Sequence, residues 1–540
     1  MNAPVMHFRG NPNAKHGQHG SPTLRRYVLG AGADPESAID PDDREIEVDI
    51  IQGPVESGKS AGSFGKVYKT MCTVPRDRNG KRRSRILIHR QTYPEIHDTV
   101  LPDFLEWFPE KEYGKLTGSE PIIYKMRFLD VECDVVFMAL PDASEKTIKK
   151  LKSGFYTAAY GNEGQFNELA LVVNVIDRTG RFPHKKDNPE YDRKRRYFTD
   201  MNAPPWHDHW VLYMRGDTPL PADMPRDQAM AYQKPPGWEF YVQPPAVFER
   251  IDEGGNLVGY ELNPHAENLQ NMGENPYLPA CGGKTRDQID RDFRNITRPQ
   301  RAGAARYPMF TRDKHVARSQ LQPRTDKPII LGLDGGLTPA CTFWQHIEGR
   351  WYGLYSLTAT NKTADEFAPM VKSVLTTHFP FASETGVAAY GDPSMDWSAE
   401  QGRRTSMMIF ASHGIEVTAP AKKDQPQTRM EMGRRLLKEF PDGNPRILLC
   451  PIHCTTLIAS LENMQMAQVK TAFGLKVQEK LVKDKWSHTG EAAEYAWWGG
   501  GEAKQMFGRP KGERSRSFNM TGKAKIGQAR DSWTSIRRAG

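Results

Sequence analysis

The sequence predicts an α/β protein of at least two domains, the first with a mainly parallel sheet. Apolar runs typical of strands alternate with helix-like stretches in the first half of the 540-residue chain. A new strand, PIILGLDGG at 328–336, then opens a hairpin pattern in the second half. A chain of this length exceeds what one ordinary hydrophobic core supports, so several domains are expected.

Individual elements follow from the apolar runs. In the first half, strands are predicted at EIEVDIIQG (45–53), RILIHR (85–90), VECDVVFMAL (131–140) and GFYTAAYGNE (154–163), with a helix at ALVVNVIDR (170–178). In the second half, PIILGLDGG continues into CTFWQHI (341–347) and WYGLYSLTAT (351–360). The chain divides into a polar N-terminal arm (1–45), a first α/β domain (46–216), an irregular linker rich in Pro, Gly and Asn (217–327), a second α/β domain (328–500) and a basic C-terminal tail (501–540).

The charge of the chain is concentrated in its tail. The net charge is +8, and residues 501–540 hold ten Lys/Arg against three acidic residues. Such a tail is either a solvated disordered end or an arm for nucleic acid or an acidic protein surface. The N-terminus is polar and no apolar run reaches about 18 residues, so we expect a soluble protein that does not contact the membrane.

The six cysteines are too scattered to indicate a disulfide framework, which fits a reducing compartment. The segment CPIHC, with Cys450, His453 and Cys454, hints at a metal site. A zinc site needs four ligands, and no second pair at finger spacing follows. The alternative is that the two cysteines are buried thiols at the end of a strand.

The stretch GPVESGKS, from Gly53 to Ser60, matches the phosphate-binding pattern G-x-x-x-x-G-K-[ST] after an apolar strand. The glycines let backbone N–H groups face phosphates, while Lys59 reaches the β- and γ-phosphate oxygens and Ser60 ligates Mg²⁺. The sequence therefore predicts ATP or GTP binding, the alternative being a plain strand-to-helix turn. The predicted nucleotide ligands in this stretch are Gly53, Ser57, Gly58, Lys59 and Ser60.

Hydrolysis of a nucleotide also needs a carboxylate that orients water at the end of a neighbouring strand. Glu163 follows the apolar run FYTAAYG and has this position. The residue before it, where a metal-side acid is usual, is Asn162, which contributes only a neutral ligand. The alternative is a strand that ends in a polar turn.

Three acidic residues in the second half predict a divalent metal site. Asp334 lies in the apolar strand LGLDGG, Asp392 ends the strand AAYGD, and Glu491 lies on the helix of GEAAEYAWW. Burial of an unpaired carboxylate is costly, and a metal ion is a functional partner for it. Two Mg²⁺ or Mn²⁺ ions held by such acids are what phosphodiester cleavage requires. Taken singly, each acid could also be a cap or a turn residue.

Together these segments resemble the large subunit of a tailed-bacteriophage terminase, an ATP-driven DNA packaging motor. The resemblance spans about 45–500 and rests on motifs in a fixed order. They are the glycine loop 53–60, RQTYPEIHDTVLPDFLEWFP (90–109), GNEGQF (161–166), RTGRFP (178–183), FTDMNAPPWHDHW (198–210), RYPMFTRDKHVA (306–317), GLDGGLTPA (332–340) and SHTGEAAEYA (487–496).

The resemblance implies a P-loop (ASCE-type) parallel-sheet ATPase domain followed by an RNase H-like α/β nuclease domain. It implies that Lys59, Ser60 and Glu163 hydrolyse ATP, and that Thr199 and Asn202 sense the γ-phosphate. Asp334, Asp392 and Glu491 would hold the nuclease metals, with Asp396, Asp484 and His488 as secondary candidates. Glu491 stands where the family usually has Asp, and Asn202-Ala203-Pro204 stands where it has Asn-Pro-Pro. His488 could instead start the helix by bonding to nearby backbone.

The resemblance also implies partners. They are double-stranded DNA, the portal protein of the procapsid, a small terminase subunit and other copies of the chain in a ring, pentameric in the family. The expected location is the bacterial host cytoplasm, with transient docking on the procapsid, and the expected cofactors are ATP and Mg²⁺, with Mn²⁺ possible in the nuclease site. The basic tail would bind either the portal or DNA, mainly through phosphates in the second case.

Ring motors often use an arginine from a neighbouring subunit. Glu56 occupies the loop position where some relatives carry an arginine, so Arg178 and Arg181 are the candidates, or else ordinary salt-bridge residues. Two other functions fit less of the sequence. One is a P-loop helicase or remodelling ATPase with a catalytically inactive RNase H-like binding domain. The other is a transposase or integrase, disfavoured because no end-recognition motif is present.

Overall fold

The structure is a computed structural model of the chain. It describes residues 21–30, 45–118, 120–221, 224–254, 256–273, 276–298, 304–336, 338–396, 404–419, 426–471 and 474–502, without the side chains of 468–471 and 474–480. The predicted basic tail, apart from its first two residues, and most of the predicted N-terminal arm lie outside the described residues. No helix in these ranges has the length and apolar character needed to cross a membrane.

The first domain is built on an eight-stranded sheet. Its strands are β1 (Ile46–Gln52), β2 (Arg82–Arg90), β3 (Gly114–Leu116), β4 (Ile122–Phe128), β5 (Val131–Ala139), β6 (Ala158–Gly161), β7 (Arg195–Met201) and β8 (Trp238–Val242). The helices that accompany them are α1 (Pro22–Leu29), α2 (Lys59–Thr73), α3 (Tyr93–Glu95), α4 (Leu101–Trp107), α5 (Glu110–Tyr113), α6 (Glu145–Lys152), α7 (Leu169–Ile176), α8 (Trp210–Arg215) and α9 (Arg226–Ala231).

The strand order is β3-β4-β5-β2-β6-β7-β1-β8, and the six strands from β5 to β8 run parallel. The strand β7 therefore lies between β1, which leads into the glycine loop, and β6, which precedes Glu163. This is the ASCE arrangement of P-loop domains, as the sequence predicted. The antiparallel hairpin of β3 and β4 extends one edge and has no counterpart among the predicted strands.

Two predicted boundaries of this domain are wrong. Residues 21–30 were expected in a polar arm, but α1 packs on the domain because Leu24 and Tyr27 form an apolar face at helical spacing. The linker predicted at 217–327 includes β8, which pairs with β1 as the last strand of the sheet. The short, Pro-flanked β8 gives little periodic signal, and tertiary pairing decides its structure.

Residues 246–293 of the predicted linker form a small module beside the glycine loop. It contains the hairpin β9 (Val247–Ile251) and β10 (Leu257–Leu262) and the helix α10 (Arg286–Phe293). Ile289 and Phe293 of α10 pack with Val247 and Tyr277 into a core of their own. The segment is therefore folded, although its loops are rich in Pro and Gly.

The second domain has a six-stranded sheet in the order β16-β15-β12-β13-β14-β17. The remaining strands are β11 (Ala304–Ala305), β12 (Ile329–Asp334), β13 (Ala340–Ile347), β14 (Arg350–Thr358), β15 (Val387–Gly391), β16 (Val417–Thr418), β17 (Ile447–Leu449), β18 (Gln465–Thr471) and β19 (Gly474–Leu481). The helices are α11 (Arg312–His315), α12 (Ala364–His378), α13 (Ala382–Thr385), α14 (Ser406–Ser412), α15 (Pro426–Lys438), α16 (Thr455–Asn463) and α17 (Ser487–Trp497).

Strands β12, β13 and β14 form an antiparallel meander, and β15 pairs parallel to β12. Strand β16 then pairs parallel to β15, and β17 parallel to β14. A meander extended by parallel strands on the side of its first strand is the RNase H-like arrangement, which confirms the predicted fold class. Strands β18 and β19 belong to a separate small sheet with β11.

Helix α17 lies directly on the central strand β12. A Cβ atom at Gly332 would stand 1.9 Å from the carbonyl oxygen of Ala492, so only glycine permits this approach. The helix residues that face this strand, Ala492 and Ala496, are fully buried, and their small side chains allow the close approach. The close packing fixes the position of the helix face that carries Glu491.

The opposite side of α17 is held by a buried ion pair that begins before the predicted domain boundary. Arg306 donates to both carboxylate oxygens of Glu494, at 2.7 and 2.9 Å, and the Tyr307 hydroxyl donates to the same carboxylate at 2.6 Å. Burial alone would raise the pKa of the Glu494 carboxyl, but Arg306 and Arg429 lower it below its ordinary value. The domain therefore begins near residue 304, and not at 328.

Replacing Arg306 with methionine is expected to lower the free energy of unfolding of the second domain by about 3–5 kcal/mol, because it leaves the buried Glu494 carboxylate short of its main cation. Urea unfolding followed by tryptophan fluorescence measures this, since Trp344 and Trp497 share a core with Tyr307. The control is Arg324→Met, which removes an exposed pair with Asp326 and should cost less than about 1 kcal/mol. Equal midpoints for the two variants would contradict the prediction.

Candidate functional site

The glycine loop connects β1 to α2 and has the geometry of a phosphate cradle. Gly58 has a φ of 84°, in the left-handed region, and precedes the first residue of the helix. The Lys59 ammonium is buried under the loop, where it donates to the Pro54 carbonyl at 2.5 Å and lies 3.4 Å from the Ser57 hydroxyl. Burial lowers the pKa of Lys59 to about 8, an effect that the nearby Asp200 and Glu163 carboxylates oppose.

The loop is supported from the segment predicted as a linker. The Ser57 hydroxyl lies 2.6 Å from Oε1 of Gln243, and the Gln243 amide nitrogen donates to the Ser57 carbonyl at 3.1 Å. A Cβ at Gly53 would stand 1.8 Å from the Gln243 amide oxygen, which explains the first glycine of the motif. No sequence motif pointed to Gln243, because the contact joins positions far apart in the chain.

Glu163 lies at the turn after β6, with a left-handed φ of 54° that non-glycine residues rarely adopt. Its carboxylate accepts from Arg90 at 2.9 Å, and Arg90 also donates to the amide oxygen of Asn162 at 2.8 Å. Burial raises the pKa of Glu163, and Arg90 opposes this rise. Arg90, at the end of β2, thus orients both residues, a role that the sequence did not predict.

Asp200 is the third residue of this site that sequence reasoning missed. It lies on β7 next to Ile51 of β1, at the edge of the sheet where the glycine loop begins. Its carboxylate accepts from the Ser60 hydroxyl at 2.6 Å, from the Asn162 amide at 3.2 Å and from the Glu163 backbone N–H at 3.2 Å. A signal was present in FTDMN, where the acid lies between Phe198 and Met201 in the buried part of the strand.

Thr199 and Asn202 contact the turn that carries Glu163, and not the glycine loop. The Thr199 hydroxyl donates to the Gly161 carbonyl at 2.5 Å, and the Asn202 backbone N–H donates to the Gln165 side chain at 3.3 Å. A Cβ at Gly164 would stand 2.2 Å from the Thr199 hydroxyl, so the two segments are tightly apposed. These contacts connect β7 mechanically to the turn of Glu163.

Arg178 and Arg181 lie near the amino end of β6, whereas the glycine loop follows the carboxyl end of β1. The Arg178 guanidinium donates to the Lys152 carbonyl at 3.3 Å, and the backbone of Arg181 pairs with that of Tyr156, just before β6. Arg181 also lines an open groove with His184 and Arg193. Neither arginine faces the glycine loop of its own chain, so a role in a neighbouring subunit stays a prediction.

In the second domain, Asp334 and Asp392 lie side by side. Leu333 of β12 pairs with Gly391 of the parallel strand β15. The acids that directly follow these two residues therefore lie at the carboxyl ends of neighbouring strands. The Tyr495 hydroxyl donates to Asp392 at 2.8 Å, and the Ser394 backbone N–H donates to it at 2.6 Å. Burial alone would raise the pKa of Asp392, but these hydrogen bonds lower it below its ordinary value.

Helix α17 brings His488, Glu491 and Tyr495 to this edge, since residues three, four and seven apart share a helix face. His488 Nδ1 lies 2.9 Å from a carboxylate oxygen of Asp334. The prediction that His488 bonds to nearby backbone is therefore wrong. The hydrogen bond to Asp334 raises the pKa of His488, while burial raises that of Asp334.

Glu491 is buried, and its carboxylate pairs with the Lys483 ammonium and lies 3.8 Å from Arg429. Burial, together with the nearby Asp334 carboxylate, raises the pKa of Glu491 to about 6, and Lys483 opposes this rise. Carboxylates that share a site are the hard oxygen donors that divalent cations take. The donor set therefore fits Mg²⁺ or Mn²⁺.

As placed, these acids are not gathered at ligand distance from one another. Within the described ranges, no three His, Cys, Asp or Glu side chains stand close enough to hold a metal ion. Each acid has a protein partner instead, namely His488, Tyr495 or Lys483. Metal binding would have to exchange some of these partners, Lys483 first, because its side chain is 60% exposed.

The secondary acidic candidates lie outside this group. Asp484 accepts from the backbone N–H groups of Trp486 and Ser487 at 2.9 and 3.2 Å, which is a capping role at the start of α17. Asp396 is exposed, at the end of the 3₁₀ turn that follows β15. The structure thus assigns Asp484 to the fold and leaves Asp396 at the surface.

In the described part of the chain, the CPIHC segment contributes to no group of three His, Cys, Asp or Glu side chains placed to hold a metal ion. Cys450 and Cys454 are buried free thiols, one after β17 and the other before α16. The His453 ring stacks on Tyr355, with 5.3 Å between the ring centroids. The alternative of buried thiols at the end of a strand is therefore the correct one.

Comparison with known proteins finds similarity at the level of structure. No protein-family model matches the chain, and no curated protein matches it. The chain is similar to the large terminase of a thermophilic bacteriophage, with 14% identity, a TM-score of 0.35, and 88% of this chain and 98% of that one covered.

Nuclease domains of large terminases match the chain as well. The cobalt-bound nuclease from thermophilic phage G20c covers 36% of this chain and 96% of its own, at 12% identity and a TM-score of 0.25. The manganese-bound nuclease domain from bacteriophage SPP1 covers 34% of this chain and 94% of its own, at 20% identity and a TM-score of 0.25.

Proposed function

We propose that this chain is the motor subunit of a viral DNA packaging machine, which hydrolyses ATP to move double-stranded DNA into a procapsid and cuts concatemeric DNA. The single observation that supports this most is the order of two sites on one chain. A glycine loop with a water-orienting glutamate precedes an RNase H-like sheet edge with Asp334, Asp392 and Glu491. A plain ATPase needs only the first of them.

For the ATPase, the residues of the loop supply binding and orientation. Loop N–H groups and Lys59 would contact the phosphates, and bound Mg²⁺ would supply positive charge on the phosphate oxygens. Glu163 would orient the attacking water, and Arg90 holds its carboxylate from one side. Thr199 and Asn202, bonded to the Glu163 turn, would pass a change at the γ-phosphate along β7.

For the nuclease, Asp334, Asp392 and Glu491 would hold two divalent cations, which activate water and stabilise the leaving oxygen when bound. His488 would keep the Asp334 carboxylate oriented, and Tyr495 does the same for Asp392. A translocating enzyme must hold any sequence, so the DNA contacts would go mainly to phosphates. The partners would be the DNA, a portal protein, a small subunit and further copies in a ring.

The second candidate function is a P-loop helicase or remodelling ATPase with a catalytically inactive RNase H-like domain. The pairing of Glu491 with Lys483 favours it, since a fixed ammonium at that carboxylate would exclude metal. The high exposure of the Lys483 side chain favours the nuclease instead, because its ammonium can move into solvent when a cation takes its place at Glu491. Cleavage assays separate the two functions.

The test is Lys59→Ala assayed for both activities. The variant is expected to lose DNA-stimulated ATP hydrolysis and to keep Mn²⁺-dependent nicking of supercoiled plasmid, because the two sites lie in different domains. The control is Lys111→Ala, which changes an exposed lysine of α5. Wild-type protein that hydrolyses ATP but never nicks plasmid would favour the helicase function, and unchanged hydrolysis in Lys59→Ala would refute the motor function.

A further inference from the structure

The position before Glu163, where P-loop enzymes usually carry the metal-side acid, holds the neutral Asn162. Its amide oxygen is engaged by Arg90 at 2.8 Å, and its amide nitrogen faces Asp200 and the Tyr160 hydroxyl. An amide N–H₂ group has no lone pair for a cation. Asn162 therefore does not present an oxygen on the side where Ser60 lies.

Asp200 presents its carboxylate on that side. It lies on β7, the strand between β1 and β6. The Ser60 hydroxyl donates to the Asp200 carboxylate at 2.6 Å, so the two groups are close enough to bind the same cation. Asp200 is 3% exposed, its three hydrogen-bond donors are neutral groups, and the nearby Lys59 ammonium interacts with it only through its charge. A buried carboxylate that is held by neutral donors can take a bound cation as a further partner.

We infer that Asp200, and not Asn162, is the carboxylate that holds the Mg²⁺ of the bound nucleotide together with Ser60. The carboxylate lies on the neighbouring strand β7, and Asn162 links Asp200 to Arg90 through its side-chain hydrogen bonds. Asp200 also accepts the Glu163 backbone N–H, so it joins the metal position to the turn of the water-orienting residue. The inference rests on the proposed nucleotide-binding function.

The experiment measures the binding of a fluorescent ATP analogue with Mg²⁺ and with EDTA, for the wild type, Asp200→Asn and Asp200→Glu. We expect Asp200→Asn to lose at least about tenfold of the Mg²⁺-dependent gain in affinity, worth about 1.4 kcal/mol, and to bind the metal-free analogue as the wild type does. Asp200→Glu keeps the charge and should retain part of the gain. Asp187→Asn changes an exposed acid and serves as the control.

A second arm places the carboxylate back at the usual position. Adding Asn162→Asp to Asp200→Asn should restore part of the Mg²⁺ dependence, which a merely structural role of Asp200 would not allow. Wild-type Mg²⁺ dependence in both Asp200→Asn and Asp200→Glu overturns the inference, but it does not contradict the proposed ATPase function. A wild-type protein that does not bind the analogue at all overturns the proposed function itself.

Discussion

Replacing Glu163 with glutamine is expected to slow DNA-stimulated ATP hydrolysis by about 10²–10⁴-fold while nucleotide affinity stays near that of the wild type. In the proposed ATPase this glutamate orients the attacking water, and the isosteric amide that replaces it cannot accept a proton. The hydrogen bond from Arg90 and the backbone contact with Asp200 can both survive the change. Phosphate release gives the rate, and titration with a fluorescent ATP analogue gives the affinity.

The matched control is Glu168→Gln, an exposed glutamate five positions along the chain, at the start of α7. It should hydrolyse ATP at the wild-type rate. A Glu163→Gln variant that keeps its rate would show that another group orients the water. A variant that loses affinity together with rate would show that Glu163 supports the phosphate site instead.

The two halves of the ATP site differ in how well the sequence predicts them. The glycine loop, Lys59 and Ser60 are contiguous, so their spacing alone identifies them. Arg90, Asp200 and Gln243 reach the same place from β2, β7 and the end of β8, and only the order of strands in the sheet brings them together. A motif cannot contain such contacts, because the pairing of parallel strands joins distant parts of the chain.

The secondary structure elements also differ in how well the sequence predicts them. The strands β2 and β5 could be predicted because each contains an apolar run, ILI at 86–88 and VVFMA at 135–139. Helix α1 and strand β8 are short and border polar, Pro-rich sequence, and each is stabilised by packing on elements that the local pattern does not reveal. Arg306 begins the motif RYPMFTRDKHVA, but the motif does not predict its buried ion pair with Glu494, because that contact depends on how α17 crosses β12.

The acidic site of the second domain could be predicted in part from the sequence. Asp334 and Asp392 each end a strand, so the sequence predicts each singly, and the parallel pairing of β12 with β15 brings them to one edge. His488 was predicted only as a secondary candidate, and Tyr495 and Lys483 were not predicted, because the contacts of all three depend on the rotation of α17 over the sheet. That rotation is set by the contact at Gly332.

Replacing Asp334 with asparagine is expected to reduce Mn²⁺-dependent plasmid nicking at least about 100-fold, with DNA-stimulated ATP hydrolysis unchanged. Asp334 is buried at the centre of the acid group, where its charge acts on both His488 and Glu491. The amide keeps the shape and a hydrogen-bond acceptor for His488 but removes the charge that a cation requires. Gel assays of supercoiled plasmid over a Mn²⁺ titration measure the loss.

The control Asp326→Asn makes the same change eight positions earlier, at an exposed acid paired with Arg324, and should nick normally. If metal is held as we propose, excess Mn²⁺ should recover Asp334→Asn only weakly, whereas Lys483→Met should need less Mn²⁺ than the wild type because it frees the Glu491 carboxylate. Nicking that survives in Asp334→Asn would exclude this carboxylate as a metal ligand. A Lys483→Met variant that needs more Mn²⁺ would show that the ammonium belongs to the catalytic site and does not compete with the metal for Glu491.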